Sequence, residues 1–261
     1  MNRTYVITGS ASGIGAATAR RLSLAGARVI GVDLRAAEVI ADLATEAGRA
    51  ALVEGVARLS GGAIDAVIAN AGGGPIETML QLNFFGAVAT LQGLRPMLAK
   101  SAAPRAVAVS SISSVRQHPS GLVGACLAMD ERAAVAAGSR VYEGMADPAL
   151  VSLAFYGAAK KALQRWCRKA APSADWAGAG ITLNVVALGI YDTPAAAYLL
   201  EDPERRAAMA ELSPLRGSYP GRPETAGALL AWLASAENTQ MTGQVLFADG
   251  GFECRAHEEM D

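Results

Sequence analysis

The chain has 261 residues, 52% of them apolar and 5% aromatic, with 28 glycines; this composition suits close packing of helices on a sheet around a sizeable core. Its 23 basic and 24 acidic residues leave a net charge of -1 without a block of like charge, which argues against nucleic acid or an anionic membrane as partner. The three cysteines (Cys126, Cys167, Cys254) and two histidines (His118, His257) lack metal-ligand spacing, so no metal site is expected, and the odd cysteine count favours a reducing, cytoplasmic setting. No apolar run approaches membrane-spanning length, and a strand begins within three residues of the first, leaving no room for a signal peptide.

Strands are predicted at Thr4–Thr8, Arg28–Val32, Glu38–Leu43, Ile64–Ala69, Ala106–Ser110, Ile181–Ala187 and Gln244–Ala248. Helices are predicted at Ile14–Ala25, Thr45–Leu59, Thr78–Ala99, Tyr156–Ala171 and Thr225–Ser235. Strands apolar along their whole length, alternating with helices, imply an α/β fold: a doubly wound parallel sheet of seven strands, covered on both faces. No linker, composition shift or repeat divides the chain, so one domain is expected over residues 1–261.

Thr8-Gly9-Ser10-Ala11-Ser12-Gly13-Ile14-Gly15 lies between the first strand and the first helix. Glycines there permit a tight turn and close approach of backbone to a pyrophosphate, and the helix N-terminus presents N–H groups to it. Asp33 ends the second strand 18 residues after Gly15, where a carboxylate can bind the ribose hydroxyls of NAD and would repel the 2′-phosphate of NADP. Arg35 nearby keeps NADP open as an alternative. Tyr156 and Lys160, four residues apart on a predicted helix, share one face. An ammonium beside a phenol is expected to favour the phenolate and bring its pKa toward the working range of an acid–base catalyst.

Thr8–Gly15, Asn70-Ala71-Gly72, the strand end Ser110-Ser111, Tyr156-x-x-x-Lys160 and Asp249-Gly250-Gly251 stand in the order that resembles the short-chain dehydrogenases/reductases, over about residues 4–252. The resemblance implies a catalytic set of Asn83, Ser111, Tyr156 and Lys160. Tyr156 would move the proton, Lys160 would lower its pKa and hold the nicotinamide ribose, Ser111 would bond the substrate oxygen, and Asn83 would position a relay water. Ser110, Ser113 and Ser114 compete with Ser111 for that role. Cofactor contacts are implied for Gly9, Ser12, Gly13, Ile14, Gly15, Asp33, Leu34, Asp42, Leu43, Asn70, Ala71, Gly72, Gly189, Ile190 and Thr193, besides Tyr156 and Lys160. Leu188 stands where the family usually has a proline, and Asp249-Gly250-Gly251 looks structural. The four-residue Tyr–Lys spacing disfavours the family's enoyl reductases.

Between Ser111 and Tyr156 lie 44 residues, far more than is usual in the family. Pro119–Gly138 suits a helix with an apolar side, followed by the polar Asp130-Glu131-Arg132, and Asp147-Pro148 could start another short helix. This segment, residues 116–153, would cover the substrate cleft or form a subunit interface. The helix usual between strands two and three is reduced to a turn around Ala36-Ala37. Both features are similar to the branch containing bacterial 3α-hydroxysteroid dehydrogenase/carbonyl reductase. They imply an NAD-dependent dehydrogenase/reductase of a secondary alcohol or ketone, a bulky apolar one such as a 3α-hydroxysteroid, and a homo-oligomer, dimer or tetramer. A coniferyl- or aryl-alcohol dehydrogenase and a non-catalytic NAD-binding regulator are the alternatives.

Overall fold

The computed structural model describes residues 3–116, 118–119, 121–143 and 148–258. Its elements run β1 (Thr4–Thr8), α1 (Gly13–Leu24), β2 (Arg28–Asp33), β3 (Val39–Ile40), α2 (Glu46–Ser60), β4 (Ala66–Ala69), α3 (Ala87–Leu98) and β5 (Arg105–Ser111). Then come α4 (Leu122–Leu127), α5 (Glu131–Glu143), α6 (Pro148–Ala170), β6 (Thr182–Leu188), α7 (Ala197–Leu200), α8 (Pro203–Glu211), α9 (Pro223–Leu233), β7 (Val245–Ala248) and α10 (Phe252–Glu258). All seven strands are parallel, in the order β3-β2-β1-β4-β5-β6-β7. The order reverses between β1 and β4, and the crevice at the carboxyl ends of those strands is where such sheets bind nucleotides.

Alternate side chains of each central strand enter opposite cores, as the period of two requires. Val6, Val67, Ala106 and Ala108 pack in one core with Leu52 of α2, Leu91 of α3 and Leu163 of α6. Tyr5, Ile7, Ile68, Val107 and Val109 pack in the other with Leu22 of α1 and Leu230 of α9. Burial on both faces is why these strands read as continuous apolar runs.

Four elements differ from expectation. β3 keeps only Val39 and Ile40, because the Glu38 carboxylate, not a backbone carbonyl, accepts from Gly31 N at 2.8 Å. The helix expected over Thr78–Ala99 is a short 3-10 turn (Ile76–Thr78), a π-turn (Gln81–Gly86) and then α3. The single inserted helix expected over Pro119–Gly138 is two, α4 and α5, broken where Met129 takes φ 60°. Asp130 there begins α5 rather than extending α4, its side chain accepting from Ala133 N at 2.9 Å. The helix expected from Tyr156 starts instead at Pro148, since Val151 and Phe155 continue its buried stripe; Asp147 lies outside the described residues.

The inserted helices bury their apolar side against this chain's own body. Leu122, Cys126 and Ala134 belong to the α6 core. Glu131 of α5 is clamped by Arg49 of α2 at 2.6 and 3.1 Å, and the same guanidinium donates to Leu43 O, Ala44 O and Gln81 O.

Candidate active site

The glycine turn is built by exclusion of side chains. A Cβ on Gly15 would lie 1.9 Å from Gly9 O, so only glycine lets α1 start this close to the turn. Asn70, after β4, ties the turn down: its side-chain amide donates to Thr8 O (3.0 Å) and Gly9 O (3.3 Å), while Asn70 N and Ala71 N donate to Thr8 Oγ1. Ser12 is the N-cap of α1 but makes no side-chain cap bond, leaving the first-turn N–H donors for an anion at the positive end of a 12-residue helix. Ile14 packs toward the α1–α9 core. Thr193 closes over the turn from the β6 side, its Cγ2 3.1 Å from where a Cβ on Gly13 would sit.

Asp33 ends β2 beside the glycine turn. One carboxylate oxygen accepts from Ala11 N (3.0 Å) and the other from Leu34 N (2.7 Å), fixing the carboxylate between the glycine turn and the end of β2. Leu34 is exposed beside it. Asp42 is exposed and caps the next turn by accepting from Ala44 N, whereas the Leu43 side chain is buried in the core and offers the cleft its backbone alone. Gly189 follows β6, pressed against Asp249: a Cβ would lie 2.8 Å from Asp249 Cα. Ile190 O accepts from Gly221 N at 2.9 Å, which anchors this segment without the family's proline.

At the other end, four side chains from three elements converge. Gly72 marks the meeting point: a Cβ there would lie 2.9 Å from Asn83 Oδ1 and 3.0 Å from Lys160 Nζ. Asn83 sits in the π-turn, a widening frequent at functional sites. Its amide donates to Gly73 O (2.9 Å) and Met79 O (2.8 Å), and its Oδ1 accepts from Gly73 N (3.0 Å). Asn83 therefore holds the Gly72-Gly73 backbone against the π-turn. The structure also separates the competing serines. Ser110 and Ser114 are buried and both accept from Gln164 Nε2, at 3.0 and 2.6 Å. Ser111 hydrogen-bonds the Tyr156 hydroxyl, and its Oγ also lies 3.3 Å from Ser113 Oγ.

The Tyr156–Lys160 pair departs from the expected electrostatics. Burial pushes the Tyr156 phenol up to about 12; the Ser111 hydrogen bond pulls it down, and the nearby Tyr198 phenol raises it further. Lys160 is 2% exposed, donates to Val109 O at 3.0 Å, and is brought down to about 8 by burial. Burial is thus the largest influence on the phenol, and Tyr156 rests protonated at neutral pH.

Three further contributors come largely from Arg116–Phe155 and Ala195–Gly217, the stretches on which the substrate is expected to depend, though none of their residues is singled out by the sequence for the site. His118, from the insertion, packs its ring against Gly157, where a Cβ would meet His118 Cε1 at 2.7 Å and Ser113 O at 2.6 Å. Gly157 thus lets the Ser111–Ser114 turn dock on α6, and no local pattern marks that need. Tyr198 reaches the site from α7, a one-turn helix too short for periodicity to show. The third is the wall formed by residues 209–222, whose helix α8 did carry a signal: Asp202-Pro203, with Asp202 accepting from Glu204 N and Arg205 N.

A profile described as short chain dehydrogenase matches residues 3–123, and one described as enoyl-(acyl carrier protein) reductase matches residues 121–253. The chain is 34% identical over 257 residues to the 3-alpha-hydroxysteroid dehydrogenase/carbonyl reductase of Comamonas testosteroni, covering 95% of each. Among solved structures it is similar to the 3-alpha-hydroxysteroid dehydrogenase of Pseudomonas sp. B-0831 complexed with NADH (TM-score 0.84, 34% identity, 98% of this chain and 99% of that one). It is also similar to the Pseudomonas aeruginosa RhlG/NADP active-site complex (TM-score 0.73, 28% identity, 96% of each chain). Fold and site define an oxidoreductase of alcohols and ketones that uses a nicotinamide dinucleotide. The chain belongs to the short-chain dehydrogenase/reductase family. Among the described residues, no group of side chains could hold a metal, and no helix is long and apolar enough to cross a membrane.

Proposed function

We propose that the protein is an NAD(H)-dependent dehydrogenase/reductase of a bulky apolar secondary alcohol or ketone, 3α-hydroxysteroids included. The observation that carries this is one chain of contacts, Ser111 to Tyr156, Tyr156 to Lys160, and Lys160 with Asn83 at Gly72, beside a glycine turn at the point where strand order reverses. The residues fit a dinucleotide: the turn excludes side chains, α1 leaves its first-turn N–H groups uncapped, and Asp33 offers two oriented oxygens.

NAD(H), when bound, accepts or supplies the hydride. The protein's own part is to place the substrate oxygen and handle its proton. In reduction the Tyr156 hydroxyl gives its proton to the substrate oxygen, and in oxidation the Tyr156 oxygen takes it. Ser111 Oγ donates to the same oxygen and stabilises the charge that develops on it. The Lys160 ammonium supplies the positive charge that favours phenolate when the proton has left. Asp33 supports NAD over NADP, since its carboxylate repels a second phosphate, while exposed Arg35 favours the alternative.

The remaining expectations join this reading. A single nucleotide-binding domain is supported by the one continuous sheet, and a reducing compartment by three free cysteines. A dimer or tetramer is supported by the family resemblance and by Trp232, 41% exposed on α9. The test is nicotinamide absorbance with NAD and a panel of hydroxysteroids and aryl alcohols. Turnover of hydroxysteroids is expected; tight NAD binding without turnover of any alcohol would overturn the reading in favour of a nucleotide-binding regulator.

A further inference from the structure

Tyr156, Lys160 and Gln164 follow one another at four-residue steps along α6, which puts all three on one face of the helix. Gln164 is 5% exposed, too buried for water to serve its amide, so its hydrogen bonds must come from the protein. An amide nitrogen carries two N–H groups. Gln164 Nε2 donates to Ser110 Oγ (3.0 Å) and to Ser114 Oγ (2.6 Å). Ser110 shares the strand parity of Ala106 and Ala108, which face the α6 core, and its own O–H donates to Lys160 O at 3.2 Å.

The two serines bracket Ser111. Between them the chain leaves β5 and enters a 3-10 turn (Ile112–Val115), with Ser111 as its N-cap, accepting from Ser113 N at 3.1 Å. The backbone of Ser114 is tied from the insertion, where His118 Nε2 donates to Ser114 O at 3.0 Å. The Ser114 hydroxyl has Gln164 as its single partner among the described residues. Leu163 and Cys167 of the same helix are fully buried, so an apolar side chain at 164 would suit this core. Exchanging a buried hydrogen-bonded pair for apolar groups of the same shape is nearly neutral in stability. What the bonds add is direction, since a satisfied polar network specifies one arrangement where apolar contacts admit several.

We propose that Gln164 is a positioning residue of the reaction: by holding Ser110 and Ser114 to α6, it fixes the intervening Ser111 hydroxyl at hydrogen-bonding distance from Tyr156 on the same helix. Gln164 carries no proton and acts through Ser111. Lys160 is held independently, by its bond to Val109 O. The inference rests on the reading above that Ser111 and Tyr156 handle the substrate oxygen.

The experiment uses Gln164→Met, which keeps the length of the side chain and removes the amide, and Ser114→Ala, which breaks the shorter bond from the turn. Each is made alone and together with Ser111→Ala, and assayed with NAD and a 3α-hydroxysteroid. Gln164→Met is expected to lower kcat roughly 10- to 100-fold, the range for a reacting group misplaced by about 1 Å, with NADH affinity by fluorescence titration unchanged. Ser114→Ala is expected to reproduce part of that loss, and it replaces Gln164→Met in every measurement if the latter does not fold. With Ser111→Ala already present, neither substitution should lower kcat further, because the group they position is gone. Equal losses with and without Ser111 would mean a packing role alone and would overturn the proposal, as would full activity in Ser111→Ala. Crystal structures read the placement without turnover: the Ser111–Tyr156 hydrogen bond is expected in the wild type and broken in Gln164→Met. A displaced Ser111 while no alcohol reacts would sink the dehydrogenase reading and leave the positioning role standing. Alcohol turnover with Ser111 unmoved and kcat unchanged in Gln164→Met would do the reverse.

Discussion

Lys160 Nζ lies 5.5 Å from the centre of the Tyr156 ring and spends a hydrogen bond on Val109 O, the carbonyl two residues before Ser111. The bond ties α6 to β5, and so sets the Tyr156 phenol against the serine at the strand's end.

Removing the phenol oxygen tests its role as proton carrier. Tyr156→Phe is expected to lower kcat about 10²- to 10⁴-fold, the range of a lost general acid–base group. NAD affinity should stay within about threefold of wild type by fluorescence titration, within the context-dependent spread of a weak contact. Activity equal to wild type would mean that the proton travels elsewhere.

The buried ammonium should be visible in folding as well as in catalysis. The folded pKa of Lys160, about 8, lies below its ordinary 10.5, so between those values the unfolded chain binds more protons than the folded one. Stability of the protein without cofactor therefore gains a contribution as pH rises from about 8 to 10.5, of as much as roughly 3 kcal/mol. Tyr156 acts oppositely and at higher pH, its folded value of about 12 exceeding the ordinary 10.0, so stability falls as pH climbs through that window. Urea denaturation at pH 7.5 and 9.5, about the span over which Lys160 loses its charge, should show Lys160→Met losing the rise that wild type displays.

Cofactor choice is expected to turn on Asp33. Asp33→Ser removes the charge that repels a 2′-phosphate, and should shift the NAD/NADP ratio of kcat/KM by roughly 100-fold toward NADP, or about 2.7 kcal/mol. An unaltered ratio would place the discrimination at Arg35 or elsewhere in the crevice.

The inserted helices should depend on a single side chain. Arg49 is 13% exposed and joins Glu131 of α5 to three backbone carbonyls, so Arg49→Ala leaves several buried acceptors unpaired. Chemical denaturation should show a loss of about 2–4 kcal/mol, with Glu131→Gln, which keeps the carbonyl contacts, losing about 1 kcal/mol. Equal losses in the two variants would mean that the ion pair, not the carbonyl network, anchors the segment.

Much of this protein was legible from local order in the chain. The central strands β1, β4, β5 and β6 are buried on both faces and so read as largely apolar runs, and the Gly9–Gly15 turn, Asp33 and the Tyr156–Lys160 spacing are short-range patterns whose chemistry depends on few neighbours. What the chain alone could not show arises from contacts between distant segments. The break at Met129 and the start of α6 at Pro148 follow from how the insertion docks on α6, where Gly138 admits the Phe155 ring. The resemblance already pointed to Ser111, but what occupies Ser110 and Ser114 is Gln164, some fifty residues away, which donates to both. The direction of the Tyr156 shift required its burial, which no spacing encodes. The cavity reaching from Ile112 to Phe252 exists only because the β6–β7 connection folds back over the sheet's end. Local sequence singled out the candidate groups for the chemistry; tertiary structure decided their burial, their partners and the space beside them, because desolvation and cavity shape are properties of segments brought together.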